Sequence, residues 1–157
     1  MKKAALNFIL LTSVLITAVG ASDTDVIAMP PKYLLAEKMA AESNWKGALT
    51  MAQQAMLDLP AVRDLLVVAK LEMFIGDCHL ELGNYRDAKE KYISARYRLS
   101  RMRSPSPQLM ANILNKLGNY YTNAQESNTA ISYLDSALTI RQRTLGDSHA
   151  LVADVYN

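Results

Sequence analysis

Between Leu114 and Ala137 the chain carries two helical patterns separated by a polar break. Leu114, Leu117, Gly118 and Tyr121 recur at i, i+3, i+4 and i+7, which places them on one face of a helix. A glycine within such a stripe costs about 1 kcal/mol relative to alanine, so it predicts a second helix crossing too closely for a Cβ. Ala130, Leu134 and Ala137, at i, i+4 and i+7, supply the matching stripe of small, large and small side chains. Together the two stripes predict an antiparallel helix hairpin.

The pattern recurs at a fixed offset. Gly76 precedes Gly118 by 42 residues and Ala88 precedes Ala130 by the same 42, so Ile75, Gly76 and His79 form the earlier first helix and Ala88, Tyr92 and Ala95 the earlier second helix. Gly83-Asn84-Tyr85 is the turn between them, with glycine free to enter a left-handed conformation. A weaker copy, offset by 40, runs through Leu35, Ala36, Met39, Ala48, Ala52, Ala55 and Pro60. Its turn, Ser43-Asn44-Trp45, carries the capping chemistry that starts a second helix. Ser104-Pro105-Ser106-Pro107 separates the second and third copies, because each proline pushes the residue before it out of the helical region. Pro107 then opens the next helix.

These features divide the chain into a leader at 1–21, a linker at 22–28, and repeats at 29–68, 69–110 and 111–152. Residues 153–157 are the start of a fourth repeat, since Ala111 shifted by 42 gives Ala153. Leu151, Val152, Val155 and Tyr156 would there lack a partner helix, whereas terminal repeats carry a polar cap. An interrupted chain is therefore expected.

The Leu117-Gly118-x-x-Tyr121 and Ala130-x-x-x-Leu134 elements resemble the tetratricopeptide repeat. The period of 42, with Leu145-Gly146-x-x-His149 in the loop, resembles the kinesin light chain type, with Ala150 in place of the proline that commonly follows the histidine. The resemblance implies an all-α fold, an α-α superhelix of helix hairpins covering roughly residues 29–157. It implies a protein or extended-peptide partner along the concave face lined by the first helices. Cargo binding of the kinesin light chain kind is not carried over. In chaperone-binding members a two-carboxylate clamp occupies groove positions that here hold Tyr33, Glu37, Phe74, Asn112 and Lys116. Only Asn112 and Lys116 suit that task, so capture of a C-terminal carboxylate is disfavoured.

Composition refines this picture. Of 157 residues half are apolar, and only 2 Phe and 1 Trp are present, which favours helix over a β core. Lys2-Lys3, the apolar run Ala4–Val19 and Val19-Gly20-Ala21 have the build of a secretory signal, with cleavage before Ser22 and an exported, periplasmic or extracellular product. Removing that segment takes two lysines and no acid from the 17 basic and 15 acidic residues, which leaves the formal charge at zero. Nothing in that balance points to nucleic acid. A membrane tether is expected only if the signal stays uncleaved or the chain continues.

No catalytic set emerges. Cys78 is the single cysteine and lies in an apolar helix, His79 stands at a packing position, and His149 belongs to a loop. Neither a zinc site nor a Cys-His nucleophile is suggested, and no cofactor or small-molecule substrate is expected. The basic residues Lys89, Lys91, Arg96, Arg98, Arg101 and Arg103 fall on two flanks of their helix, which reads as a solvated surface with stems over apolar neighbours.

The polar signal is elsewhere. Asn112, Asn115, Lys116, Asn119 and Asn123 cluster within about 100° of helix surface opposite Leu114, Leu117 and Tyr121. Asparagine is a poor helix former, and its amide can both donate to and accept from a peptide backbone. The same face of the second copy holds Lys70, Met73, Phe74, Asp77, Leu80 and Glu81, which reads as three exposed apolar residues flanked by charges. These eleven residues form the expected peptide groove. The function expected is a non-catalytic scaffold outside the cytoplasm. The alternative is the extracytoplasmic sensory part of a longer membrane signalling protein, a histidine kinase or a tethered transcriptional regulator; the reading frame after Asn157 would separate the two.

Overall fold

The computed structural model describes residues 28–60 and 64–145, and its regular structure is entirely helical. In order the helices are α1 (Pro31–Ala41), α2 (Trp45–Leu57), α3 (Leu65–Glu81), α4 (Tyr85–Ser100), α5 (Pro107–Asn123) and α6 (Ser127–Leu145). They pair as three antiparallel hairpins, α1 with α2, α3 with α4 and α5 with α6, stacked in chain order. This is the all-α stack of helix hairpins expected from the periodicity. The leader, the loop carrying His149 and the start of a fourth repeat lie outside the described residues. Among the described residues no helix is long and apolar enough to cross a membrane.

Within each hairpin the helices meet along small residues. Ala48, Ala52 and Ala55 of α2, Ala88 and Ala95 of α4, and Ala130 and Ala137 of α6 are all buried. Against them the first helices present Ala36, Gly76 and Gly118. A Cβ built on Gly118 would lie 2.6 Å from Leu134, and one built on Gly76 would lie 2.6 Å from the Tyr92 ring. The glycines are therefore places where a large side chain of the second helix fills the space that a Cβ would need.

Between hairpins the packing is larger and apolar. Ala69, Tyr92 and Leu99 of the second hairpin form one buried cluster with Leu109, Ile113 and Leu117 of the third. Val67, Leu71, Ile75 and Cys78 meet the first hairpin through Met29, Tyr33, Leu49, Met56 and Leu59. One charged side chain is buried in the second hairpin: Glu72 accepts from Ser94 at 2.9 Å and from Arg98 Nε at 2.8 Å. That pairing removes Arg98 from the basic surface read from the sequence.

The three hairpin turns have one construction. Ser43, Gly83 and Gln125 each adopt positive φ, at 60°, 76° and 61°. In each turn that residue and the next return their N–H groups to the closing helix, as in Asn44 to the Met39 carbonyl at 2.8 Å, Asn84 to His79 at 2.8 Å and Glu126 to Tyr121 at 2.9 Å. This satisfies the orphan carbonyls at the helix end, and Asn44 Oδ1 then accepts from Gly47 N at 3.1 Å to start α2. Pro107 opens α5 as expected, with Ser106 Oγ accepting from Leu109 N at 3.3 Å.

A left-handed residue with a Cβ is strained by about 1 kcal/mol, so the turns differ in stored cost. Gln125→Gly is expected to stabilise the fold by up to about 1 kcal/mol and Gly83→Ala to destabilise it by a similar amount. Thermal melts of the two variants check this; a lower melting temperature for Gln125→Gly would contradict it.

Candidate functional site

The eleven groove residues do not form one surface. They fall on α3 and α5, the first helices of the second and third hairpins, and seven of them divide between two clefts on either side of an ion pair. The first cleft, about 530 Å³, lies where the C-terminal ends of α3 and α5 meet the start of α4. Leu80, Lys116, Asn119 and Asn123 line it together with Tyr85 and Tyr120. The second, about 420 Å³, lies where α1 meets the N-terminal halves of α3 and α5, and takes in Lys70, Met73 and Asn112 with Tyr33 and Glu37. Phe74, Asp77, Glu81 and Asn115 line neither.

The bridge between α3 and α5 is Asp77. Its Oδ1 accepts from the Tyr92 hydroxyl at 2.8 Å and from Lys116 Nζ at 2.7 Å, while the Lys116 ammonium sits 6.0 Å from the centre of the Tyr92 ring. Asp77 and Lys116 are each only partly exposed, so screening by water is weaker than for a surface pair. Lys116 therefore enters the first cleft with its charge already balanced.

Several expectations need correction here. Met73, Phe74 and Leu80 are half-buried rather than fully exposed, although Met73 and Leu80 still line the clefts. Met73 and Leu80 pack on the cluster shared with the third hairpin, and Phe74 lies edge-on to Tyr33 at 5.3 Å and 67°. A middle helix has neighbours on both flanks, which widens its buried arc beyond the single stripe that periodicity reveals. The asparagine row also divides. Asn112 accepts from Arg141 Nη2 at 3.3 Å, and the Oδ1 of Asn115 is buried without a hydrogen-bond partner. Only Asn119 and Asn123 are exposed, one helical turn apart and both in the first cleft.

Sequence reasoning passed over the aromatic walls. Tyr85 follows the Gly83-Asn84 turn and stands exposed, and Tyr120 meets Tyr121 edge-on at 5.2 Å. Tyr121 stacks on Tyr133 at 5.4 Å, with Lys89 5.3 Å over Tyr120 and Arg96 5.5 Å over Tyr133. These contacts tie α4 to the third hairpin and account for two of the basic residues whose stems were expected to cover apolar neighbours. An aromatic residue directly after a helix-reversing glycine was the available signal for Tyr85.

The titratable groups beneath the site are held neutral. Burial, reinforced by the Asp77 carboxylate, pushes the Cys78 thiol up to about 12. Burial, then Asp77, raises the Tyr92 phenol, and burial, then Glu37, raises that of Tyr33. Such a thiol is inert as a nucleophile near neutral pH. His79 is mostly buried, with Nδ1 4.0 Å from the Asp87 carboxylate.

Residues 110–151 match the family model described as tetratricopeptide repeat. The chain carries a tetratricopeptide repeat. The matched segment contains Gly118, Leu134 and the whole of α5 and α6 apart from the first residues of α5, and its 42-residue span (110 to 151 inclusive) equals the offset between Gly76 and Gly118. Among solved structures, the crystal structure of BtubC (BKLC) from P. vanneervenii is similar at a TM-score of 0.70 and 22% identity, covering 80% of this chain and 50% of that one. At that identity the likeness shows the fold, and the chain spans half the length of that protein. No curated protein matches the sequence. The same architecture extends back from the tetratricopeptide repeat, since α1–α2 and α3–α4 repeat its small-residue crossing and its turn.

The raised values of Tyr33, Cys78 and Tyr92 set the sign of an alkaline effect. Unfolded thiols and phenols ionise between about 8.5 and 10, whereas the folded groups keep their protons, so the stability they contribute is complete below that range, begins to fall as pH enters it, and goes on falling up to the folded values, about 12 for Cys78. Melting temperature is expected to fall between pH about 8 and about 10.5, and less steeply in Cys78→Ala combined with Tyr33→Phe. Equal slopes for variant and wild type would contradict the assignment.

Proposed function

We propose that this chain is a non-catalytic scaffold that holds a protein or extended peptide along the inner face of its hairpins, and that it acts outside the cytoplasm. The observation that carries the reading is the pair Asn119 and Asn123. Both are exposed in an aromatic-walled cleft, and neither side chain is tied to a group among the described residues. Four residues of helix advance about 6 Å. Two residues of extended chain advance about 6.6 Å, so the two amides can address alternate peptide groups along one edge of a strand lying on α5. A side chain between those contacts then enters the space between Tyr85, Tyr120 and Leu80. With Lys116 neutralised by Asp77, that space favours an uncharged, large apolar anchor over a carboxylate.

The tetratricopeptide repeat supports the protein-binding half of this reading. Export rests on Lys2-Lys3, the apolar run Ala4–Val19 and the small residues before Ser22. Asn119→Ala combined with Asn123→Ala is expected to leave the melting temperature unchanged or slightly raised, because alanine is the better helix former. Affinity for the partner recovered from native extract should fall by about 1 kcal/mol per lost pair, roughly fivefold each, since peptide groups would be left unpaired in the interface. The recovered product should begin at Ser22. Equal affinity with an unchanged melt would overturn the groove, and an intact Met1 on membrane-bound protein would overturn the cleavage and make the leader an anchor.

A further inference from the structure

Corresponding positions of the inner helices can be compared, because the copies are offset by 40 and 42 residues. Glu37 of α1 and Asp77 of α3 correspond, and both are carboxylates. Asp77 meets Lys116 of the next inner helix at 2.7 Å. In the pair α1 and α3 the counterpart of Lys116 is Phe74, which meets the Tyr33 ring instead of the acid. Glu37 is therefore left beside the neutral Tyr33 phenol and makes no ion pair among the described residues. Lys70 lines the same second cleft, is half-buried, and makes no ion pair among the described residues either. One cleft of about 420 Å³ thus carries a base and an acid that are not paired with each other, together with the apolar side chains of Met29, Met73 and Leu109. Asn112, the counterpart of Lys70 on α5, spends its Oδ1 on Arg141, so its amide nitrogen is the group it can offer to the cleft.

We propose that the second cleft is a binding site for a small zwitterion, a free dipeptide with apolar side chains, whose carboxylate lies on Lys70 and Asn112 and whose ammonium lies at Glu37. The site is separate from the first cleft and does not depend on a peptide held there. A neutral ligand would take water from both charges without replacing it, a simple anion would face Glu37, and a simple cation would face Lys70. A ligand with both charges compensates both. The repeat register sets Lys70 seven positions before Glu37 along neighbouring inner helices that run the same way, about 10 Å along the axis. Two extended residues span about 7 Å and a hydrogen bond at each end adds about 3 Å, so a dipeptide bridges a gap that a single amino acid does not. The C-terminus of a long chain brings a carboxylate without the ammonium, and Glu37 counts against it. Glu37 is exposed and Lys70 is half-buried, so the lysine contributes the larger share of the affinity. The ligand is held and not converted.

Isothermal titration of the whole 157-residue chain with leucyl-leucine tests this. N-acetyl-leucyl-leucine and leucyl-leucinamide each lack one of the two charges, and each is expected to bind at least about tenfold more weakly, the loss of one charge-assisted hydrogen bond. Lys70→Met should weaken leucyl-leucine about tenfold and Glu37→Gln about threefold, with the melting temperature unchanged in both, since neither side chain holds an ion pair among the described residues. Asn119→Ala with Asn123→Ala should leave dipeptide affinity as it is, which separates this site from the first cleft. No binding of leucyl-leucine at about 10 mM, or equal binding of the blocked and zwitterionic forms, would overturn the proposal. A tetrapeptide, leucyl-alanyl-alanyl-leucine, that binds as tightly as the dipeptide would also overturn it, in favour of an extended chain as the occupant.

Discussion

Everything in this molecule depends on how closely two helices can approach inside one hairpin. At Gly76 and Gly118 the side chains of the second helix leave no room for a Cβ, with Tyr92 and Leu134 at 2.6 Å from where it would stand. In the first hairpin Ala36, facing Ala48 and Ala52, allows a similarly close fit. Close approach maximises dispersion contacts and removes the Ala stripes of α2, α4 and α6 from water. It also makes each hairpin a stiff unit whose remaining apolar side chains must find neighbours in the next hairpin.

The site is a consequence of that division. The inner helices α1, α3 and α5 are held by their own partners, so they reach one another through long side chains: Tyr33 on Phe74 across α1 and α3, and Lys116 on Asp77 across α3 and α5. Clefts remain on either side of those bridges. Asp77 is central because it closes the gap, balances Lys116 and anchors the Tyr92 hydroxyl that lies against Gly76. Folding geometry and cleft chemistry therefore share one carboxylate.

The hairpins, their offset, the left-handed Gly83 turn and the proline-started α5 could all be read from the residues, because each follows from a local rule: helical periodicity, the cost of glycine, the restriction before proline. Ser43 and Gln125 adopt the same left-handed turn without a glycine to announce it, since the helix-end hydrogen bonds impose the conformation regardless of side chain. The groove was less readable. Met73, Phe74 and Leu80 looked exposed because a one-helix projection cannot show flanking hairpins, and Asn112 looked free because its partner Arg141 lies on another helix. Tyr85 and Tyr120 became cleft walls only when α3, α4 and α5 were brought together. Buried Glu72 was invisible for the same reason: its partners Ser94 and Arg98 belong to the facing helix.

The most direct test of the close crossing is the stability of Gly76→Ala, because the two effects in play have opposite signs. In an unconstrained helix the change would stabilise by about 1 kcal/mol. If the Tyr92 ring lies where the methyl group must go, pinned by its hydroxyl on Asp77, overpacking costs about 1–3 kcal/mol and wins. Urea denaturation of wild type and variant at neutral pH decides between them. The account predicts a net loss of stability with an unchanged slope; a gain of about 1 kcal/mol would show that the helices are not held together at this glycine.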